Sequence, residues 1–182
     1  LPLKFTLKDG RECLIREMTE DDAEELCEFL PKTHLESDFL NYLPGEFDKT
    51  IDQEREFIRE HNAKPCSISM TAVVEGRIVA VAGGASPEQR RYVHHAECGL
   101  VVLKEFWGAG LGRRLMGCLV EWARQAGLRK LYLKVFGDNS RAIRLYESLG
   151  FVGEGRLKGD VLRGDGTYGD TLIMAHFFVG EP

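Results

Sequence analysis

Two spacings of apolar residues alternate along the chain. Ala23, Leu26, Cys27 and Leu30 recur at helical intervals behind Thr19-Glu20-Asp21-Asp22, which has the side chains of a helix start, so the pattern predicts a first helix stopping near Pro31. A short strand over 12–16 precedes it. The stretch 32–49 is mixed, carries Pro44-Gly45 and reads as a loop, the kind of segment that shapes access to a site. Thr50-Ile51-Asp52-Gln53 is a capping box, in which the outer side chains take up each other's free backbone N–H groups, and it predicts a second helix to about His61. The β-branched runs 68–74 and 78–84 flank Glu75-Gly76-Arg77 and predict a hairpin, followed by a polar connection over 86–92.

The second half predicts a strand over 94–103, an amphipathic helix over 110–127 with Leu111, Leu115, Leu119, Trp122 and Ala126 on one face, and a strand over 131–136. Gly99, in mid-strand, fits a local bulge. Asn139-Ser140 can cap a further helix ending at Gly150, whose missing Cβ suits a left-handed terminus, and an extended run starts at Phe151. Two last strands flank Gly164-Asp165-Gly166. No repeat or linker interrupts this order. One domain over 1–182 is expected, of α/β class, with a mixed (α+β) sheet of about seven strands and helices on both faces.

Charge and cysteine usage narrow the function classes. A formal charge of -5 argues against nucleic acid as a partner, which calls for clustered Lys and Arg. The five cysteines, at 13, 27, 66, 98 and 118, are odd in number and show no metal-ligand spacing, so neither a disulfide framework nor a metal site is expected, and a reducing cytoplasm is the natural setting. No stretch approaches the ~18 apolar residues of a membrane span, and no basic leader precedes an apolar run. The chain opens at Leu1 without a methionine, which points to a trimmed or incomplete start.

Two segments carry candidate chemistry. Trp107-Gly108-Ala109-Gly110-Leu111-Gly112 follows an apolar strand and opens a helix. Glycines there let backbone approach a ligand, and the unpaired N–H groups of the first helical turn favour an anion such as pyrophosphate, with Arg113 and Arg114 adding charge at the edge. A tight strand-to-helix turn without a ligand is the plainer alternative. Neither the G-x-G-x-x-G spacing of a dinucleotide fold nor a G-x-x-x-x-G-K-[ST] phosphate loop is present. In the second segment Asn139, Ala142 and Tyr146 share one helical face, Asn139 and Tyr146 lying about 10 Å apart along the axis. An amide and a phenol around a small residue can line an extended polar ligand. A simple N-cap and a core aromatic are the alternatives.

Taken together, Val102-Leu103-Lys104-Glu105-Phe106-Trp107-Gly108-Ala109-Gly110-Leu111-Gly112 and Asn139-Ser140-Arg141-Ala142-Ile143-Arg144-Leu145-Tyr146-Glu147-Ser148-Leu149-Gly150-Phe151 closely resemble the two signature segments of GNAT acetyltransferases. The resemblance is clear over 96–151. Trp107 departs from the Gln or Arg usual there, and Ala96-Glu97-Cys98-Gly99 with Phe106-Trp107-Gly108 is similar to the branch that includes ribosomal-protein N-terminal acetyltransferases.

The resemblance implies a central pair of strands that splay apart to admit the pantetheine arm of acetyl-CoA. Leu100, Val101 and Val102 would be its backbone partners. Trp107, Gly108, Ala109, Gly110, Leu111, Gly112 and Arg113 would form the pyrophosphate turn, with Asn139, Ala142 and Tyr146 along the arm. A free N–H near Leu100 would stabilise the oxyanion and Tyr146 would protonate the leaving thiolate. The implied activity is acetyl transfer to a primary amine of a small molecule or protein. A catalytically silent acyl-CoA-binding module is the alternative, and the resemblance leaves room for a homodimer. Since only a neutral amine attacks, a base is needed. Glu97 is the first candidate, with His94, His95 or a water as alternatives, and Cys98 is not expected to act as nucleophile. Helix one, the 32–49 loop and the last hairpin are expected around the acceptor, where Glu36, Asp38 and Glu46 suit a cationic amine.

Overall fold

Twelve elements follow in order: β1 (Leu3–Thr6), β2 (Glu12–Glu17), α1 (Ala23–Glu36), α2 (Ile51–Asn62), β3 (Ser67–Val74), β4 (Arg77–Ala85), β5 (His95–Val102), α3 (Leu111–Gln125), β6 (Lys130–Phe136), α4 (Ser140–Glu147), β7 (Val152–Leu162) and β8 (Tyr168–Phe177). They are those of a computed structural model, which describes residues 1–178. The strands form one sheet in the order β1-β2-β3-β4-β5-β6-β8-β7, antiparallel throughout except where β5 meets β6. The sheet has eight strands and not about seven. The additional one, β1, contributes only Leu3 and Phe5 as apolar positions and pairs with β2 at the sheet edge.

Local signals account for most boundaries. Thr50 accepts from the Gln53 N–H and Gln53 returns the bond, so the capping box opens α2 as its spacing predicts. Glu75 and Gly76 both take positive φ, 51° and 78°, in the two-residue turn between β3 and β4. Gly150 adopts φ 84° just beyond α4.

Three expectations need correction. α1 runs through Pro31 to Glu36: the proline deletes the bond to the Cys27 carbonyl, but Thr33 Oγ1 (2.7 Å) and the His34 ring (2.6 Å) both bond the Leu30 carbonyl, and Phe29, Thr33 and His34 are buried. Packing outweighs the break. The bulge expected at Gly99 is absent, since β4 and β5 pair without a shift from Ala80↔Val102 to Ala85↔Glu97. On α3 the buried stripe is Leu111, Leu115, Met116, Leu119 and Ala123, whereas Ala126 is exposed at the helix end and Trp122 is half-buried. Trp122 seats on Gly84, where a Cβ would lie 3.0 Å from its ring.

β5 and β6 pair in parallel only at His95↔Lys130, Ala96↔Leu131 and Glu97↔Tyr132. Beyond Glu97 the two strands part, and a cleft opens in the middle of the sheet. Alternation along β5 sends Cys98 and Leu100 to the side of α3, where Cys98 lies beside Gly84 and Leu100 beside Gly112, and sends Glu97, Gly99 and Val101 to the opposite side. Among the described residues no helix is long and apolar enough to cross a membrane.

Candidate functional site

The cleft exposes a peptide group that has no strand beside it. Leu103 donates its N–H to the Val79 carbonyl at 3.0 Å, and bonded pairs alternate along an antiparallel ladder. Gly99 and Val101 therefore spend their peptide groups on β4, while those of Leu100 and Val102 face the gap left by β6. The Val102 carbonyl is met there by the Trp107 indole, whose Nε1–H donates at 2.8 Å.

The glycine turn lies at the wide end of the cleft. Gly108 and Gly110 hold φ of 83° and 92°, a region costly for any residue with a Cβ, and Gly110 is the left-handed N-cap of α3. Arg114 N–H bonds back to the Gly110 carbonyl at 3.2 Å, so the N–H groups of Leu111, Gly112 and Arg113 stand at the open helix end. No acidic residue occupies that first turn to compete for them. The Leu111 side chain is itself core, and Ala109 bonds through its carbonyl to the Lys8 N–H. Gly112 has no room for more: a Cβ would lie 3.3 Å from Leu145 and 3.5 Å from Leu100, so α3, α4 and β5 meet at this point. Arg113 reaches across to Ser148 at the end of α4, 2.8 Å away.

α4 forms the wall of the cleft on the α3 side. Asn139 caps it by accepting from the Ala142 N–H at 3.2 Å, which leaves the NH2 end of the amide to donate. Ala142 is half-buried. Tyr146 is buried, tilted against Phe151 at 5.9 Å, and burial followed by the proximity of Cys98 pushes its phenol well above the usual tyrosine range. The phenol therefore keeps its proton and can offer it as a hydrogen bond. The same burial pushes the Cys98 thiol up, consistent with an inert sulfur.

Glu97 faces the other side of the sheet. Tyr132 donates its hydroxyl to Glu97 Oε2 at 3.0 Å, and Lys134 Nζ stands 3.7 Å from Oε1. Burial, then the bond to Glu97, pushes the Tyr132 phenol up to about 12. His95 lies at the closed end of the split, edge-on to Tyr132 at 5.4 Å, with a buried Nδ1 that has no partner among the described residues and a pKa lowered first by burial. His94 is exposed beside it. Of the acidic residues expected around the acceptor, Glu36 accepts from the Lys104 N–H at 2.8 Å and Glu46 from the Leu43 N–H at 2.7 Å, while Asp38 is exposed. The loop does reach the site, since Phe39 packs edge-on against Phe136 of β6 at 6.0 Å, and Leu43 lies beside Gly164 of the last hairpin.

Sequence reasoning left out Tyr132, Lys134 and Arg141. The first two follow from period-two alternation on β6 once Glu97↔Tyr132 fixes the register. Arg141 follows from its place in the first turn of α4, where its guanidinium lies over the Trp107 ring.

Similarity to known proteins agrees with this geometry. A model of the Acetyltransferase (GNAT) family matches residues 25–151. The crystal structure of a GNAT family acetyltransferase from Streptococcus pneumoniae superposes with a TM-score of 0.87 at 30% identity, over 91% of this chain and 99% of that one. The fold also matches yncA, a putative acetyltransferase from Salmonella typhimurium solved with its cofactor acetyl-CoA, with a TM-score of 0.82 at 18% identity over 93% of this chain and 96% of that one. The L-amino acid N-acetyltransferase AaaT of Escherichia coli is 30% identical over 116 residues, 62% of this chain and 69% of its own length. Four other curated relatives are matched by this chain over only 12% to 39% of their length. By its sequence and its fold, the chain belongs to the GNAT acetyltransferase family.

Proposed function

We propose that the chain is an acetyl-CoA-dependent N-acetyltransferase that passes the acetyl group directly to a primary amine through a tetrahedral intermediate. The observation that carries this reading is the Leu100 peptide group facing the gap between β5 and β6, with the α3 N-terminus at one end of the gap and Tyr146 on its wall. A pantetheine arm laid in the gap takes the place of a strand, bonding to the Leu100 peptide group and the Val102 N–H, whereas Val101, expected as a third backbone partner, bonds β4 instead. Its pyrophosphate meets the N–H groups of residues 110–113, and Asn139 and Ala142 flank the arm.

Chemistry then divides between the two faces. The neutral amine approaches from the side of Glu97 and its lone pair forms the N–C bond at the thioester carbonyl. Charge moves to the carbonyl oxygen, where the Leu100 N–H stabilises it, a kind of contact worth about 3–4 kcal/mol elsewhere. The C–S bond breaks, the thiolate takes the Tyr146 proton, and the nitrogen gives its proton to Glu97, directly or through water. Glu97 and Cys98 are neighbours on β5 with side chains on opposite faces, so base and acid reach the reacting carbon from opposite sides.

Release of free CoA thiol from acetyl-CoA, followed with an amine panel of amino acids, polyamines, lysine peptides, protein N-termini and aminoglycosides, tests the reading. Amine-dependent release, lost in Gly110→Glu because a carboxylate then occupies the anion position, is expected. Tight acetyl-CoA binding with no release for any amine would identify a silent acyl-CoA-binding module instead.

A further inference from the structure

The acceptor face carries one loosely paired acid and one loosely paired base. Lys134 Nζ and Glu97 Oε1 are 3.7 Å apart, beyond hydrogen-bond length, and the side chains keep 53% and 47% of their surface in solvent. The pair is a weak contact that a ligand can enter. Of the other charges around this face, Lys130 is paired with Glu154 at 3.0 Å and Arg163 with Asp138 at 2.8 Å. Glu97 and Lys134 stand there as an adjacent carboxylate and ammonium.

We propose that Lys134 binds a carboxylate on the acceptor, so that the enzyme takes zwitterionic, amino-acid-like amines in preference to polyamines. The inference rests on the acetyl-transfer reading above. An amino acid bridges the pair with its ammonium toward Glu97 and its carboxylate on Lys134, exchanging one loose ion pair for two charge-assisted contacts. In doing so it draws Lys134 away from Glu97 and leaves that carboxylate, still held by Tyr132 through Oε2, to receive the amine proton. A polyamine meets the Glu97 carboxylate here and is opposed by the Lys134 ammonium beside it.

A Cβ at Gly99, on this same face of β5, would meet nothing within 4 Å, so the floor beside Glu97 is open. Val101 on β5 and the Phe39–Phe136 pair supply apolar wall farther along the cleft.

Matched acceptors test the proposal: an L-amino acid, its carboxamide, and spermidine, assayed for kcat and KM on the wild type, Lys134→Met, Lys134→Arg and Lys134→Glu. The wild type should favour the acid over the carboxamide, and Lys134→Met should cut that preference by about tenfold or more, mainly through KM of the acid, with KM for acetyl-CoA unchanged. Lys134→Arg should retain the preference. Lys134→Glu should turn it toward spermidine. An acid-to-carboxamide ratio equal in wild type and Lys134→Met, or turnover of the carboxamide and spermidine alone, overturns the role of Lys134 and leaves acetyl transfer standing. Turnover of none of these acceptors and of no amine in the wider panel removes both.

Discussion

Arg141, in the first turn of α4, lays its guanidinium over the Trp107 ring 4.6 Å from the centroid, while the same indole donates to the Val102 carbonyl at 2.8 Å. Trp107 itself brings no charge to the glycine turn. It fixes a cation supplied from another element instead, and the stacking keeps that cation beside the N–H groups of the glycine turn. Arg141→Gln is therefore expected to weaken acetyl-CoA binding by about three- to tenfold, with a smaller salt dependence than the wild type. Calorimetric titration at two ionic strengths checks this, with dephospho-CoA as a second ligand to separate the 3′-phosphate from the pyrophosphate. Unchanged affinity for both ligands would reduce the Arg141–Trp107 contact to packing.

Tyr146→Phe keeps the ring against Phe151 and removes only the hydroxyl. Acetyl-CoA affinity should stay within a few-fold while turnover falls by about a hundredfold, the loss of a proton donor to the leaving group. Because the phenol pKa lies well above its ordinary value, Tyr146 should add no descending limb to the wild-type pH profile below about pH 10. Wild-type turnover in the variant, with chemistry shown to be rate-limiting, would make Tyr146 a core aromatic and nothing more.

Stability at acid pH depends on a different carboxylate. Asp22 is buried, takes both guanidinium nitrogens of Arg16 at 2.6 and 2.7 Å, and accepts the Thr19 N–H at 2.8 Å. Burial alone would raise its pKa, but the Arg16 and Thr19 bonds outweigh it and hold the carboxyl below the usual aspartate value. The folded pKa is the lower one. The stabilisation is thus complete above the ordinary aspartate pKa and is lost as pH falls through the folded value, below about pH 4. Asp22→Asn should cost about 2–3 kcal/mol at pH 7, less than a fully buried pair because Arg16 keeps 33% of its side chain in solvent. Urea melts should show that difference shrinking at pH 3.

The parts of the fold that were legible in sequence are those set by short-range chemistry. The Thr50–Gln53 box, the Glu75-Gly76 turn and the glycine turn before α3 each need particular side chains or a missing Cβ at fixed offsets. Pro31 misled for a physical reason: its break is local, whereas the burial of Phe29, Thr33 and His34 that overrides it depends on partners far along the chain, such as Phe47. β1 is too short to display a period. At the site, the placement of Asn139, Gly110 and Tyr146 follows from helix signals. The environment of Glu97 does not, because it depends on which residue of β6 lies opposite, and a single-residue slip would have replaced Tyr132 and Lys134 by Leu131 and Leu133.

That environment makes Glu97 the sharpest test of mechanism. An acceptor ammonium has no lone pair, so turnover should rise with pH as the amine loses its proton. Glu97→Gln keeps the length of the side chain and an oxygen for the Tyr132 hydroxyl, and removes only the basic carboxylate. Turnover should fall at pH 7 and recover in part near pH 9–10, where free amine is already abundant. His95 offers a neutral ring, since burial lowers its pKa, but it sits at the closed end of the split, two residues from Glu97. His95→Gln is therefore expected to leave the profile in place. A Glu97→Gln loss of equal size at every pH would assign the carboxylate to acceptor positioning. A profile unchanged by Glu97→Gln but flattened by His95→Gln would move the base to the imidazole, with Glu97 left as the ion partner of Lys134.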